Sequence, residues 1–160
     1  MLLKITHNME VAHRLSRDTT KCKQIHGHGM QVTISFPGLE EGHNGMARTR
    51  YGDTVEFGSA KRTFRSYVDS NYDHHLVLNA DDDFAGELTF ADPSGTEWKT
   101  KLPGLTTVPG EPTVENLARW IGEWAARQFR TDVVCSIDET RTNGAEVRVD
   151  WIGTTTKVQL

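Results

Sequence analysis

The chain is short of cysteine, of proline and of positive charge, and it has no long apolar run. Two of its 160 residues are cysteines and five are prolines. Cys22 and Cys135 lie far apart, and two thiols cannot build a disulfide framework, so reduced thiols in a cytoplasmic compartment are expected. Lys and Arg number 18 against 22 Asp and Glu, a net charge of -4. That balance argues against a nucleic-acid partner and leaves room only for a local basic patch facing a small anion. A bilayer span needs about 18 consecutive apolar residues, and the opening MLLKITHNMEV reaches Lys4 and His7 too early for a secretory leader. No membrane partner is expected either. What is present, 36% hydrophobic and 25% charged residues, is lean but globular. At roughly 150 residues per domain, one domain over 1–160 is predicted.

Apolar periodicity then sets out the elements. Residues 3–15 alternate Leu3, Ile5, His7, Met9, Val11 and His13 against polar neighbours, which predicts a strand. After a polar loop, a second strand runs from His26 to the Pro37-Gly38 stop, antiparallel to the first. The stretch from Gly38 to Asp53 reads as a loop or a short irregular hairpin. Phe57, Ala60, Phe64, Tyr67 and Val68 recur at helical spacing over 57–71, with Lys61, Arg62, Arg65 and Asp69 opposite. A second helix follows Pro112-Thr113, with Val114, Leu117, Ala118, Ile121, Trp124, Ala125 and Phe129 as its stripe. Between the helices, 80–111 reads as an inserted hairpin around Pro93-Ser94-Gly95. Two closing strands, 132–139 and 145–152, flank the Asn143-Gly144 turn. The order β, β, α, hairpin insert, α, β, β is an α+β arrangement.

The chemistry gathers where the first two strands meet. Seven histidines outnumber the cysteines. His26 and His28 are two apart, so on a strand they share a face, and His13 lies near the end of the preceding strand. Three imidazoles on one face suit zinc and leave a fourth position for water or substrate. Cys22, on the loop before His26, is a candidate base or nucleophile; a fourth structural ligand or an inert thiol are the other readings. Cys135, within Val133-Val134-Cys135, reads as a core residue. Asp73-His74-His75 offers an Asp beside a His, although side chains of sequence neighbours rarely bond directly, and either histidine could serve as a relay. Glu139, followed by Thr140, could accept paired hydrogen bonds from a guanidine-like heterocycle edge, or be a plain exposed carboxylate.

Taken together, the motifs resemble a known family. Val11-Ala12-His13-Arg14-Leu15, Cys22 ahead of Ile25-His26-Gly27-His28, Asp73-His74-His75, Pro112-Thr113-Val114-Glu115-Asn116-Leu117-Ala118 and Glu139-Thr140 occur in the order of the 6-pyruvoyl-tetrahydropterin synthase superfamily. The interval from Cys22 to His26 resembles most its bacterial 6-carboxy-5,6,7,8-tetrahydropterin synthase branch, of the 7-deazaguanine (queuosine) pathway. The resemblance implies a tunnelling fold: a four-stranded antiparallel sheet with two helices on one face, here with the inserted hairpin. It also implies a homohexamer with active sites between subunits.

By the same resemblance His13, His26 and His28 would hold Zn2+, Cys22 would be the base, and Asp73 with His74 the proton relay. Glu139 would anchor the pterin edge, with Thr113, Glu115 and Thr140 nearby. The implied reaction converts 7,8-dihydroneopterin triphosphate to 6-carboxy-5,6,7,8-tetrahydropterin, releasing acetaldehyde and triphosphate. The rival readings are a 6-pyruvoyl-tetrahydropterin synthase or related pterin side-chain lyase, and a non-catalytic pterin- or nucleotide-binding module with structural zinc. Three departures stand out: Glu56-Phe57 for the usual Asp-Phe, Gly29-Met30 after His-Gly-His, and the long 80–111 segment.

Overall fold

Strand alternation at the start of the chain sets the layering of everything after it. The computed structural model describes residues 2–42, 46–91, 94, 98–100 and 102–159. In chain order its first elements are β1 (Leu3–His13), β2 (His26–Phe36), β3 (Glu40–Glu41), β4 (Ala47–Arg48), β5 (Thr54–Val55), α1 (Phe57–Asn71) and β6 (His75–Asn79). There follow α2 (Asp83–Leu88), β7 (Thr89–Ala91), β8 (Trp98–Thr100), β9 (Leu105–Val108), α3 (Val114–Phe129), β10 (Val133–Asp138), β11 (Gly144–Trp151) and β12 (Thr156–Gln159). β1 buries Ile5, Met9, Val11 and His13 and turns Lys4, Asn8 and Glu10 outward. β2 buries Met30, Val32, Ile34 and Phe36. The two pair antiparallel from Leu3 opposite Phe36 to His13 opposite His26.

The expected four-stranded sheet is the centre of a larger one. Seven strands lie in the order β12-β11-β10-β2-β1-β6-β9. The four from β11 to β1 are antiparallel neighbours, as expected. β12 adds an antiparallel edge, whereas β6 and β9 pair in parallel beyond β1. The parallel additions have a physical cause: α1 crosses the sheet after β2, so the chain re-enters alongside β1 in the same direction. β6 buries Val77, Leu78 and Asn79 in succession. Such a run carries no alternation to read from sequence. A third helix, α2, capped by Asp82 accepting from the Phe84 N–H, was likewise not expected.

The inserted segment does more than form a hairpin. β7 and β8 pair antiparallel, Thr89 opposite Thr100, while Pro93 and Gly95 of the expected turn lie outside the described residues. The same segment supplies α2 and β9, and β9 joins the main sheet. The stretch read as a loop or irregular hairpin contributes the small sheet β3-β4-β5, with His43 outside the described residues.

Both long helices belong to the core that the sheet builds. α1 buries Ala60, Phe64 and Val68, but Phe57, expected on that stripe, is exposed at its first turn. Glu56 caps it by accepting from the Gly58 and Ser59 N–H groups, which holds the carboxyl below its ordinary range. α3 buries Leu117, Ala118, Ile121 and Ala125, and Gly122 lets it press on the sheet: a Cβ there would sit 3.1 Å from Cys135 and Val149. Tyr67 and Trp124 stack at 3.7 Å between the helices. Cys135 is fully buried, and desolvation pushes its thiol up, as a core residue.

Candidate metal centre and catalytic cleft

The β1–β2 hairpin assembles three imidazoles by register alone. His13 ends β1 directly opposite His26, the first residue of β2, and His28 lies two residues on, opposite Val11. Ring centroids are 4.5 Å (His13–His26), 5.4 Å (His13–His28) and 5.1 Å (His26–His28) apart. One nitrogen from each ring can be chosen so that all lie within 4.8 Å of one another.

Backbone carbonyls set the ring tautomers. His13 Nδ1 meets the Pro112 carbonyl and His26 Nδ1 the Gln24 carbonyl, each at 2.8 Å. A carbonyl only accepts, so both Nδ1 atoms carry a proton and Nε2 is the nitrogen each ring has left for a metal. His13 Nε2 is buried without a hydrogen-bond partner. Desolvation keeps His13 below its ordinary pKa, against the opposing pull of the Pro112 bond. A neutral, orphaned, buried donor in a three-imidazole cluster fits a metal ion, and the donor set suits zinc.

Glu139, just past the end of β10, borders this cluster. Its Oε1 is 3.8 Å from His13 Nε2 and 3.9 Å from His28 Nε2. Its backbone N–H donates to the Asn143 carbonyl at 3.0 Å, which fixes the approach of the side chain. Cys22 is the middle residue of a 3₁₀ turn, Lys21–Lys23, in the loop between the first two metal-competent histidines. It is half-buried and free, and its carbonyl accepts from Leu15 N–H at 2.9 Å. Its sulfur is not among the mutually adjacent ligand atoms, so the reading of Cys22 as a fourth structural ligand gains no support.

The Asp73–His74 pair forms despite the rarity of bonds between sequence neighbours. His74 has φ of 59°, a left-handed conformation uncommon for any residue but glycine. In that conformation His74 Nδ1 lies 2.9 Å from Asp73 Oδ2. β1 brackets the pair: Glu10 N–H donates to Asp73 Oδ1, and His74 N–H to the Glu10 carbonyl, both at 2.7 Å. Burial pushes the Asp73 carboxyl up, but these bonds prevail and hold it below its ordinary value.

His75 is engaged elsewhere. The Thr106 hydroxyl donates to the Asn71 carbonyl, so it accepts from His75 Nδ1, at 2.7 Å. Of the two histidines, His74 is the one paired with the carboxylate, and its side chain is 78% exposed. A cleft of about 480 Å³ is lined by Glu10, Gly27, His28, Gly29, His74 and His75 among others.

The remaining expected residues lie at the margins. Thr113 caps α3, its hydroxyl accepting from Asn116 N–H, one residue after the carbonyl that orients His13. Thr140 Oγ1 accepts from the Thr142 and Asn143 N–H groups in the hairpin turn. Glu115 is exposed in the first turn of α3, and no described contact joins it to the cluster. Sequence reasoning missed Glu111, whose Oε1 accepts from Ser16 and Asn79 while its carbonyl accepts from Asn116. It ties the Cys22 loop, β6 and α3 beside His13, and its place before Pro112 was the only available signal. The bracketing role of Glu10 left no local signal, because its partners are more than sixty residues away.

Three metal-competent histidines and an Asp–His pair are carried on a mixed sheet backed by two helices. The sequence profile of the family described as 6-pyruvoyl tetrahydropterin synthase matches residues 2–150. The chain belongs to that family and is an enzyme of the lyase class. It is 27% identical over 121 residues to the 6-carboxy-5,6,7,8-tetrahydropterin synthase of Rickettsia bellii, covering 73% of this chain and 75% of that one. To the protein of the same description from Rickettsia conorii it is 28% identical over 88 residues, 54% of this chain and 59% of its relative. Among solved structures, the 6-pyruvoyl tetrahydropterin synthase of Plasmodium vivax superposes with TM-score 0.61 at 13% identity, covering 94% and 99% of the two chains. That of Caenorhabditis elegans gives 0.57 at 18%, covering 92% and 94%. These likenesses establish the shared fold, and the sequence relatives agree with the resemblance drawn from the motifs.

Proposed function

We propose that the chain is a zinc-dependent lyase that converts 7,8-dihydroneopterin triphosphate and one water to 6-carboxy-5,6,7,8-tetrahydropterin, with release of acetaldehyde and triphosphate, in 7-deazaguanine biosynthesis. The observation that carries this reading is the cluster of three metal-competent histidines bordered by the Glu139 carboxylate, in a chain that also pairs Asp73 with His74. His13, His26 and His28 would hold zinc, which when bound supplies Lewis-acid stabilisation of negative charge developing on the substrate side chain. The protein's own groups move the protons. Cys22, flanked by Lys21 and Lys23, would remove one from carbon as base, and His74, oriented by Asp73, would return one as acid.

Glu139 would take the 2-amino and ring N–H donors of the pterin as a paired acceptor, so an analogue without that edge leaves a carboxylate unpaired. Thr113 and Thr140 would act by shaping the backbone around the pocket, since their hydroxyls already accept backbone N–H groups. Glu115 would meet substrate only at the pocket rim. Active sites would be completed between subunits of a homohexamer in the cytoplasm, where both thiols stay reduced. No described helix is long and apolar enough to cross a membrane.

Product analysis tests the reading. Incubation with 7,8-dihydroneopterin triphosphate is expected to yield 6-carboxytetrahydropterin and acetaldehyde in equal amounts. A 6-pyruvoyl product would move the chain to the other branch of its family, and absence of any product from zinc-loaded protein would leave only a binding module.

A further inference from the structure

The carboxylate of Glu139 is placed for more than the pterin edge. Its Oε1 approaches two of the three metal-competent nitrogens, at 3.8 Å and 3.9 Å. Tetrahedral zinc with nitrogen and oxygen ligands at about 2.0–2.1 Å sets neighbouring ligand atoms roughly 3.3–3.4 Å apart. The oxygen therefore stands about half an ångström from a ligand spacing to both His13 and His28. Among the described residues it is the one carboxylate paired with these histidines, and no described side chain donates to it.

Charge supports the same placement. As metal ligands the three imidazoles would each offer an uncharged nitrogen, which leaves the whole charge of a divalent ion uncompensated beside His13, itself 1% exposed. The backbone of Glu139 is pinned to Asn143, while the side chain, 23% exposed, has one end free to turn.

We propose that Glu139 is the fourth metal ligand when no substrate is bound, rotating inward to complete the set with His26. Substrate then exchanges with it: the metal's fourth position opens to the substrate side chain as the same carboxylate turns to the pterin edge. This exchange rests on the functional reading above; the resting ligation does not.

Cobalt(II) loaded in place of zinc gives a readout independent of turnover, because its visible absorption reports ligand number and type. The comparison is between wild type and Glu139→Gln, an isosteric change in a partly exposed side chain, with the fold checked by circular dichroism. The variant is expected to show displaced visible bands and to release cobalt to a competing chelator at least 10-fold more readily, the lower end of the cost of losing even a group that merely supports a ligand. Neopterin, added to the wild type, is expected to shift its bands toward those of the variant and to leave the variant's ligand field nearly unchanged. Superimposable wild-type and variant spectra overturn the proposal while leaving the pterin reading intact. Spectra that differ, with a wild type blind to neopterin, sustain the resting ligation and refute the exchange, while the pterin reading stands or falls by product analysis.

Discussion

At the residue scale, most of the chemistry depends on which atom of each side chain is already engaged. His13 and His26 commit Nδ1 to carbonyls and keep Nε2 free, so each is oriented before any metal arrives. His75 is engaged by Thr106, whereas His74 is paired with Asp73. His74→Ala is therefore expected to lower kcat by the 10²–10⁴ typical of a general acid, with zinc content unchanged. A His74→Ala variant with wild-type turnover would remove the relay. The three metal-competent histidines were legible in sequence because period two and hairpin register are simple geometry. The Asp73–His74 bond was not, because it depends on a left-handed residue that a sequence does not announce.

Asp73 also predicts a pH dependence. Its bonds hold the carboxyl below the ordinary value near 3.9, so the unfolded chain takes up that proton first as pH falls. The stabilisation it provides is thus complete above the ordinary carboxylate range and lost on acidification through the lowered folded value. The gap in urea midpoint between wild type and Asp73→Asn should be constant from pH 7 to about 5 and close in stronger acid. A gap that widens with acid would contradict the assignment.

At the scale of elements, amphipathic helices and alternating strands were readable, and strands without alternation were not. The stripe of α3 runs through Leu117, Ile121 and Ala125 as its spacing predicts. Ile121, wholly buried, is expected to cost 2–5 kcal/mol on truncation to Ala, measured by urea denaturation. Thr113→Ala should cost about 1 kcal/mol through loss of the α3 cap. If it instead raises KM and leaves stability unchanged, Thr113 contacts substrate as the family resemblance implies. β6 escaped sequence reading because consecutive buried residues look alike in a strand and in a helix. β12 escaped it because four residues with one inward Val158 give too short a pattern.

At the scale of the whole molecule, the sheet carries two different surfaces. One face, with Met9, Met30, Ile34 and Ile137, is covered by the two long helices. The other presents Lys4, Asn8, Glu10, Gln31 and Asp138, an exposed polar surface that no helix among the described residues covers. The low share of apolar residues follows from this one-sided core, and the seven-stranded sheet spreads it further than four strands would. In sedimentation velocity the protein is expected to run as a hexamer, as the family resemblance implies, with a stable active monomer as the contrary result.

The three-histidine cluster, as proposed, is where zinc would support the lyase reaction. Acetaldehyde released from 7,8-dihydroneopterin triphosphate, measured on chelator-stripped protein before and after readdition of one zinc per chain, tests it most directly. No release is expected from the stripped protein, and full recovery with zinc. Undiminished release from protein verified to be metal-free would contradict it.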